Sequence, residues 1–170
     1  QVCPFEMSLD VASWVDDIIC DYNYVFDPNV YLKRFFAEGI RGDYIFLIDE
    51  AHNLVERSRE MYSAQLYKED FLAVKKLVKK CDPKLETGLG KCNKILLEYK
   101  RECEKYRLYD EIGNLMFSLL KLASDMDEFL QRMSEFPERK EISEFYFSLR
   151  NFINIYERVD EHYVIYGEHT

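Results

Sequence analysis

Tyr44-Ile45-Phe46-Leu47-Ile48-Asp49-Glu50-Ala51-His52-Asn53-Leu54 decides how the chain is read. A short apolar run meets two carboxylates and an imidazole. Such a run, bounded by polar residues, reads as a buried strand. In open α/β sheets, ligands bind at the carboxyl ends of the strands. Asp49 and Glu50 would then share a strand tip. There one carboxylate can face the coordination shell of Mg²⁺ while the other orients or deprotonates a water, as nucleoside triphosphate hydrolysis requires. The plainer reading is two acids at the positive end of a helix starting near Ala51. By average usage the four letters Asp-Glu-Ala-His arise by chance in a chain this long on the order of once in a thousand. The preceding apolar run favours the chemical reading.

Upstream, Cys3-Pro4 opens a helix with Pro at its first position, and Phe5, Leu9, Ala12 and Val15 recur at helical spacing. Ile18, Ile19 and Cys20 form a second short apolar strand. Tyr22-Asn23-Tyr24 follows as a loop at its carboxyl end. Asp27-Pro28 caps and begins a helix carrying Tyr31, Leu32, Phe35 and Phe36, which Gly39 stops. Residues 1–58 thus read helix, strand, helix, strand, helix: a piece of a parallel βαβ layer, too short to be a complete sheet.

Downstream the pattern changes to long amphipathic helices. The spacing predicts them over Lys68–Lys80, Leu85–Tyr106, Asp110–Ser134 and Glu138–Val159, with Cys81-Asp82-Pro83 breaking the first and Asp82-Pro83 serving as a cap and first turn. In the second, Leu85, Leu89, Cys92, Leu96, Tyr99, Cys103 and Tyr106 form one stripe. In the last, Ile142, Phe145, Tyr146, Leu149, Phe152, Ile153 and Tyr156 form one face. His162–Tyr166 returns to strand character. His162 reads as a strand-end residue and His169 as a tail residue, with no metal site around either.

Composition sets outer limits. Of 170 residues, 48% are apolar and 15% aromatic, enough for a packed core. Net charge is −9, unevenly spread: residues 1–58 carry four Lys/Arg against eleven Asp/Glu, and residues 59–170 carry nineteen against twenty-one. An acidic total argues against nucleic-acid binding over the whole surface but leaves room for a local track. Five cysteines without a disulfide framework point to a reducing, cytoplasmic setting. No apolar run approaches membrane-spanning length, so no membrane partner is expected. The chain opens at Gln1 without an initiator Met, and an excised piece of a longer protein is the expectation.

Three elements, in order, carry a resemblance: Cys3-Pro4-Phe5-Glu6, then Cys20-Asp21-Tyr22-Asn23-Tyr24-Val25-Phe26-Asp27-Pro28, then Leu47-Ile48-Asp49-Glu50-Ala51-His52-Asn53-Leu54. The stretch from Cys3 to about Ala64 resembles the XPD/DinG-like family of superfamily 2 DEAH-type DNA helicases with an iron–sulfur cluster. The helical part is similar to the family's arch domain by position and helix content.

The resemblance implies a mainly α fold: a helical arch-type insertion of about four helices attached to an incomplete parallel α/β, RecA-like motor piece. Residues 1–58 would be the partial motor with the end of the cluster region, 59–160 the arch, and 161–170 a return strand. The parent would be an ATP-dependent 5′→3′ DNA helicase acting in DNA repair or another process on single-stranded and forked duplex DNA. Its cofactors would be ATP, Mg²⁺ and a [4Fe–4S] cluster. Asp49 would hold Mg²⁺ through water, Glu50 would act on the attacking water, and His52 would link the nucleotide site to domain movement. Cys3 would be the fourth cluster ligand.

Other parts are missing from the sequence. No G-x-x-x-x-G-K-[ST] phosphate loop occurs, and Gly88-Leu89-Gly90-Lys91 lacks the spacing and the following Ser or Thr. Cys81, Cys92 and Cys103 are spaced by eleven, roughly 16 Å apart within one helix, and read as buried small apolar side chains. The chain alone is therefore expected to bind no ATP, Mg²⁺ or cluster and to be inactive. Tyr22, Asn23 and Tyr24 are candidates for lining a single-strand track, against simple packing of the Tyr rings over the adjacent helix. Lys75, Lys76, Lys79 and Lys80 form a basic helix face that would edge the arch, or a solvated face. The uncovered strands predict dimerisation through the partial sheet, or local disorder. The alternative function is a helical protein–protein interaction module regulating the motor.

Overall fold

The computed structural model describes residues 3–169. It divides into two units, Gln1–Tyr62 and Ser63–Thr170. The described chain is mainly helical, and its only strands form one two-stranded sheet.

The first unit begins with α1, Pro4–Ala12, with Pro at its start as expected. Two single-turn helices follow, α2 (Asn23–Phe26) and α3 (Lys33–Phe36). A 3₁₀ turn, Ala51–Asn53, then leads into α4, Leu54–Met61. The helix expected from Pro28 to Gly39 is broken in two. Asp27 caps a turn, its Oδ1 accepting from Asn29 N at 2.8 Å. The chain then swings extended at Leu32, whose N–H bonds to Tyr24 O at 2.8 Å, and α3 starts afresh. Gly39 does not cap the helix directly. At φ +85° it sits in the turn closed by Ile40 N to Ala37 O, a backbone position that costs glycine nothing.

The two strands expected at Ile18–Cys20 and Tyr44–Ile48 do not pair with anything among the described residues. Ile19, Ile45 and Leu47 are almost fully exposed, at 103%, 91% and 93%. Tyr44–Ile48 still alternates as an extended chain must. Tyr44 and Phe46 turn inward to an aromatic cluster, with Phe36–Tyr44 ring centres 5.3 Å apart and Phe26–Phe46 6.2 Å. Ile45 and Leu47 turn out. The expectation fails because a strand needs neighbouring strands to satisfy its backbone and cover its second face. Pro28 is the only buried residue of this unit among those described. Ion pairing adds a tie between α1 and α3: Arg34 lies 2.6 Å from Asp10 and 3.5 Å from Glu6.

The second unit is a four-helix arrangement with a small ribbon. Its helices are α5 (Lys68–Val78), α6 (Pro83–Glu102), α7 (Gly113–Arg132) and α8 (Arg139–Tyr156). The ribbon pairs β1 (Tyr106–Tyr109) with β2 (Ile165–Glu168), antiparallel, with Leu108 opposite Tyr166 and Tyr109 opposite Ile165. Three of the four helices fall within the expected stretches, and α6 starts two residues before its own, at Pro83. The core is continuous: Phe71 and Val78 of α5, Leu85, Leu89 and Cys92 of α6, Leu119, Leu122, Met126 and Phe129 of α7, and Ile142 and Leu149 of α8 are all but inaccessible. Phe71 meets Phe145 edge-on at 4.9 Å, so α5 packs back on α8 and closes the arrangement.

Caps fix the ends. Asp82 Oδ1 accepts from Leu85 N at 2.9 Å, the N-cap read from Asp82-Pro83. Its other oxygen takes Arg132 Nη2 at 2.6 Å, from the far end of α7. Burial pushes the Asp82 carboxyl up, but the Leu85 N–H and the Arg132 guanidinium outweigh it and hold the group below the usual carboxylate range. Arg139 of α8 donates to Leu130 O and Met133 O, two carbonyls that the end of α7 would leave unpaired. Glycines fit the packing too: a Cβ at Gly88 would meet Leu122 Cδ1 at 3.3 Å.

Three local expectations are corrected. The α6 helix ends at Glu102, so Tyr106 lies in β1 and is exposed. The periodicity of the third helix puts Leu120 on one face with Ile112, Met116, Leu119, Ala123, Met126, Leu130 and Met133, but Leu120 of α7 faces solvent, and Leu115, Leu122 and Phe129 are buried as well. The strand begins at Ile165 and not at His162, whose N–H bonds to Asp160 Oδ1 at 2.9 Å in the preceding turn. His169 lies just past the strand, its N–H on Lys105 O at 2.8 Å.

The cysteines separate by environment. Cys92 is fully buried, as read from sequence. Cys81 is exposed, and half-buried Cys103 caps α6 with its Sγ 3.5 Å from Gly167 O, so the buried reading fails for these two. Burial pushes the Cys92 thiol up to about 11. In the native chain a thiol reagent at pH 8 will modify Cys3, Cys20 and Cys81 quickly and Cys92 only on unfolding. Rapid native labelling of Cys92, located by peptide mass, would contradict the packing.

Candidate functional site

The Asp-Glu-Ala-His residues form an exposed turn at the head of α4. Asp49 Oδ1 accepts from Glu50 N at 2.9 Å. Glu50 has φ 50° and ψ 38°, the left-handed region, and is the only non-glycine residue with positive φ among those described. Asn53 N donates to Glu50 O at 2.9 Å, closing the 3₁₀ turn. His52 Nε2 and Glu50 Oε2 are 3.3 Å apart, with side chains 74% and 67% accessible. A pair this exposed contributes little to stability. A side chain held left-handed costs roughly 1–2 kcal/mol, and such positions concentrate where the backbone aims a group for a purpose.

The geometry brings three of the expected residues together. Asp49, Glu50 and His52 share one turn, two carboxylates and an imidazole on open surface. They can orient water and accept or donate a proton. Among the described residues no group of three His, Cys, Asp or Glu side chains is placed to hold a metal ion. Asp49 is exposed on this turn, and Cys3 is exposed at the N-cap of α1.

Tyr22-Asn23-Tyr24 is a helical turn and not the loop expected: Tyr22 is the N-cap of α2, and Asn23 N bonds to Asp21 Oδ1 at 2.9 Å. The Tyr24 ring lies 6.4 Å from that of Phe5 of α1, centre to centre. Tyr22 borders a polar groove of about 340 Å³ with Asn53, Glu56, Arg57 and Glu60. Glu60, 3.0 Å away, first, and then Tyr22 raise the Arg57 guanidinium above its ordinary value. Sequence reading did not connect these residues with Tyr22. Asn53, Glu56, Arg57 and Glu60 recur at helical spacing along one side of α4, but only the tertiary fold brings Tyr22 to them.

A recess of about 690 Å³ beside Tyr44 and Phe46 is lined by Phe35, Phe36, Ile40, Arg41, Gly42 and Asp43. In the second unit the four lysines divide: Lys75 and Lys76 lie on α5, whereas Lys79 and Lys80 follow its end at Val78, so the expected basic helix face is not continuous; Lys76, Lys79 and Lys80 are exposed, and Lys75 is half-buried beside α6.

Residues 1–71 match the DEAD_2 family model. That stretch is similar to the DEAD_2 segment of XPD/DinG-like helicases. Over 63 residues the chain is 29% identical to the Fanconi anemia group J protein homolog of Gallus gallus, which covers 37% of this chain and 5% of that protein. The chain thus spans a small part of the curated relative it matches. No solved structure matches it. All three motif elements lie inside the DEAD_2 segment, and the match reaches into α5.

The backbone at Glu50 gives a direct test. Glu50→Gly and Glu50→Ala both remove the carboxylate, but only glycine relieves the left-handed strain. The glycine variant will be the more stable of the two by about 1 kcal/mol in urea unfolding. Equal or reversed stabilities would mean that Glu50 is not held left-handed in solution.

Proposed function

We propose that the chain is part of an ATP-dependent DNA helicase that moves 5′→3′ along single-stranded DNA and opens forked duplexes. The observation that carries this reading is the DEAD_2 segment, with Asp49, Glu50 and His52 on one turn inside it. Helix content supports the rest. Residues 1–58 are read as part of a RecA-like motor, residues 59–160 as the arch that helps enclose the strand, and residues 161–170 as the return to the motor. The setting is intracellular and cytoplasmic, in a DNA-repair or related process. No helix among the described residues is long and apolar enough to cross a membrane.

In the whole motor, ATP and Mg²⁺ supply the phosphoryl chemistry. Asp49 would serve the metal through water. Glu50 would orient and deprotonate the attacking water, and His52, within reach of Glu50, would report its state to the moving domain. Cys3 would contribute the fourth thiolate of a [4Fe–4S] centre whose other ligands are not in this chain. Tyr22, Asn23 and Tyr24 would face the strand, with Lys75, Lys76, Lys79 and Lys80 at the edge of the arch.

In a full-length motor carrying this segment, Glu50→Gln lowers DNA-stimulated phosphate release by roughly 10²–10⁴-fold with ATP binding retained. The 170-residue chain alone releases none. Unchanged turnover in the variant, or release by the chain alone, would defeat the assignment.

The bare apolar edge also has a consequence. Ile19, Ile45 and Leu47 are exposed on one small unit, and such surface favours association. The isolated chain is expected to dimerise through it in sedimentation as concentration rises, and Ile45→Lys with Leu47→Lys to restore the monomer. A wild-type chain that stays monomeric at high concentration rules this out.

A further inference from the structure

Phe117 stands on the outer side of α7 with 67% of its surface accessible, while Leu115, Met116, Ser118 and Leu119 around it are buried. The Lys91 ammonium, from α6, lies 5.8 Å from the centre of its ring. Lys121 follows Phe117 by one helical turn and is exposed. On α5, Lys75 reaches α6 at Gly90: a Cβ there would stand 3.0 Å from its Nζ, so the glycine leaves room for the lysine to pass. Lys94 is exposed one turn beyond both Gly90 and Lys91. Lys75, Lys94, Lys91, Phe117 and Lys121 therefore form a series running across three adjacent helices. Among the described residues no carboxylate pairs with any of these four lysines. Lys84, farther back on α6, is instead held by Asp125 at 2.8 Å and Glu128 at 3.0 Å.

Four ammonium groups without a carboxylate partner and one exposed ring suit a flexible polyanion with stackable faces. We infer that the outer face of α5, α6 and α7 carries a single-stranded nucleic acid. One base stacks on Phe117, beside the Lys91 charge, and Lys75, Lys94, Lys91 and Lys121 contact its phosphates. This rests on the nucleic-acid reading above but moves the track. Of the lysines named from sequence, only Lys75 belongs to it. The charge is local, because residues 59–170 carry nineteen basic against twenty-one acidic residues.

The test uses the whole chain and a fluorescent oligo(dT). Phe117→Ala, at an exposed position, keeps the helical circular dichroism and weakens binding roughly 5- to 100-fold. Lys91→Ala with Lys94→Ala and Lys121→Ala flattens the slope of log affinity against log salt by about 2. Phe117→Trp in a Trp14→Phe background gives tryptophan fluorescence that oligo(dT) quenches. Affinity and salt slope within twofold of wild type in the first two variants overturn the track. So does a Phe117-dependent self-association without DNA, which marks a protein contact. No binding by the unsubstituted chain overturns this inference together with the nucleic-acid partner. Binding that survives these substitutions but is lost with Lys76→Ala, Lys79→Ala and Lys80→Ala overturns the track alone.

Discussion

The helix α7 is apolar around so much of its circumference that it must be covered from more than one side. Leu115, Met116, Leu119, Leu122, Ala123, Met126, Phe129 and Leu130 are buried along it. Each large side chain among them contributes roughly 1.5–3 kcal/mol on leaving water, as an upper estimate. The other helices take their places from that demand. On one side α6 runs antiparallel to it, as Asp82 with Arg132, Lys84 with Asp125 and Lys91 with Phe117 together require. On the other, α8 runs back along it, with Arg139 at Leu130 and the Tyr156 hydroxyl at Ile112 N. The α5 helix then closes on α6 and α8. Asp125, buried on α7, is tolerated because the Lys84 ammonium sits 2.8 Å away.

The first unit answers to the opposite constraint. Its sequence contains strand-forming runs, but a buried strand needs partners for its backbone and a second covered face. Here Tyr44 and Phe46 find an aromatic cluster on one side, while Ile45 and Leu47 find nothing on the other. Local forces still shape the Asp-Glu-Ala-His turn. The Asp49 carboxylate on Glu50 N and the Asn53 N–H on Glu50 O hold a left-handed residue in place without a sheet behind it. The motif is therefore formed as a turn while the strand beneath it is not.

Legibility followed the range of the interactions. The four long helices could be read because their apolar residues recur along a single segment, and each helix's hydrogen bonds close within it. The Asp82 cap and the halt at Pro83 were local as well. The ribbon strand β1 was hidden because its partner, β2, lies far along the chain: Tyr106 pairs with Glu168. The same distance hid Cys103, whose sulfur meets Gly167 O after a helix that stops at Glu102. At the candidate site, Asp49, Glu50 and His52 were visible as adjacent letters, whereas Arg57 beside Tyr22 was not.

By itself, then, the sequence determined the four long helices between residues 68 and 156, the likeness of residues 1–71 to DEAD_2 and the carboxylates at the Asp-Glu-Ala-His turn, because each is written in contiguous or helically periodic residues. Only the tertiary structure decided that Tyr44–Ile48 stays unpaired, that Arg57 lies beside Tyr22, and which lysines are committed to carboxylates. Those outcomes depend on partners from elsewhere in the chain. A pattern of residues states what a segment can bury or bond, and the fold settles whether anything is there to meet it.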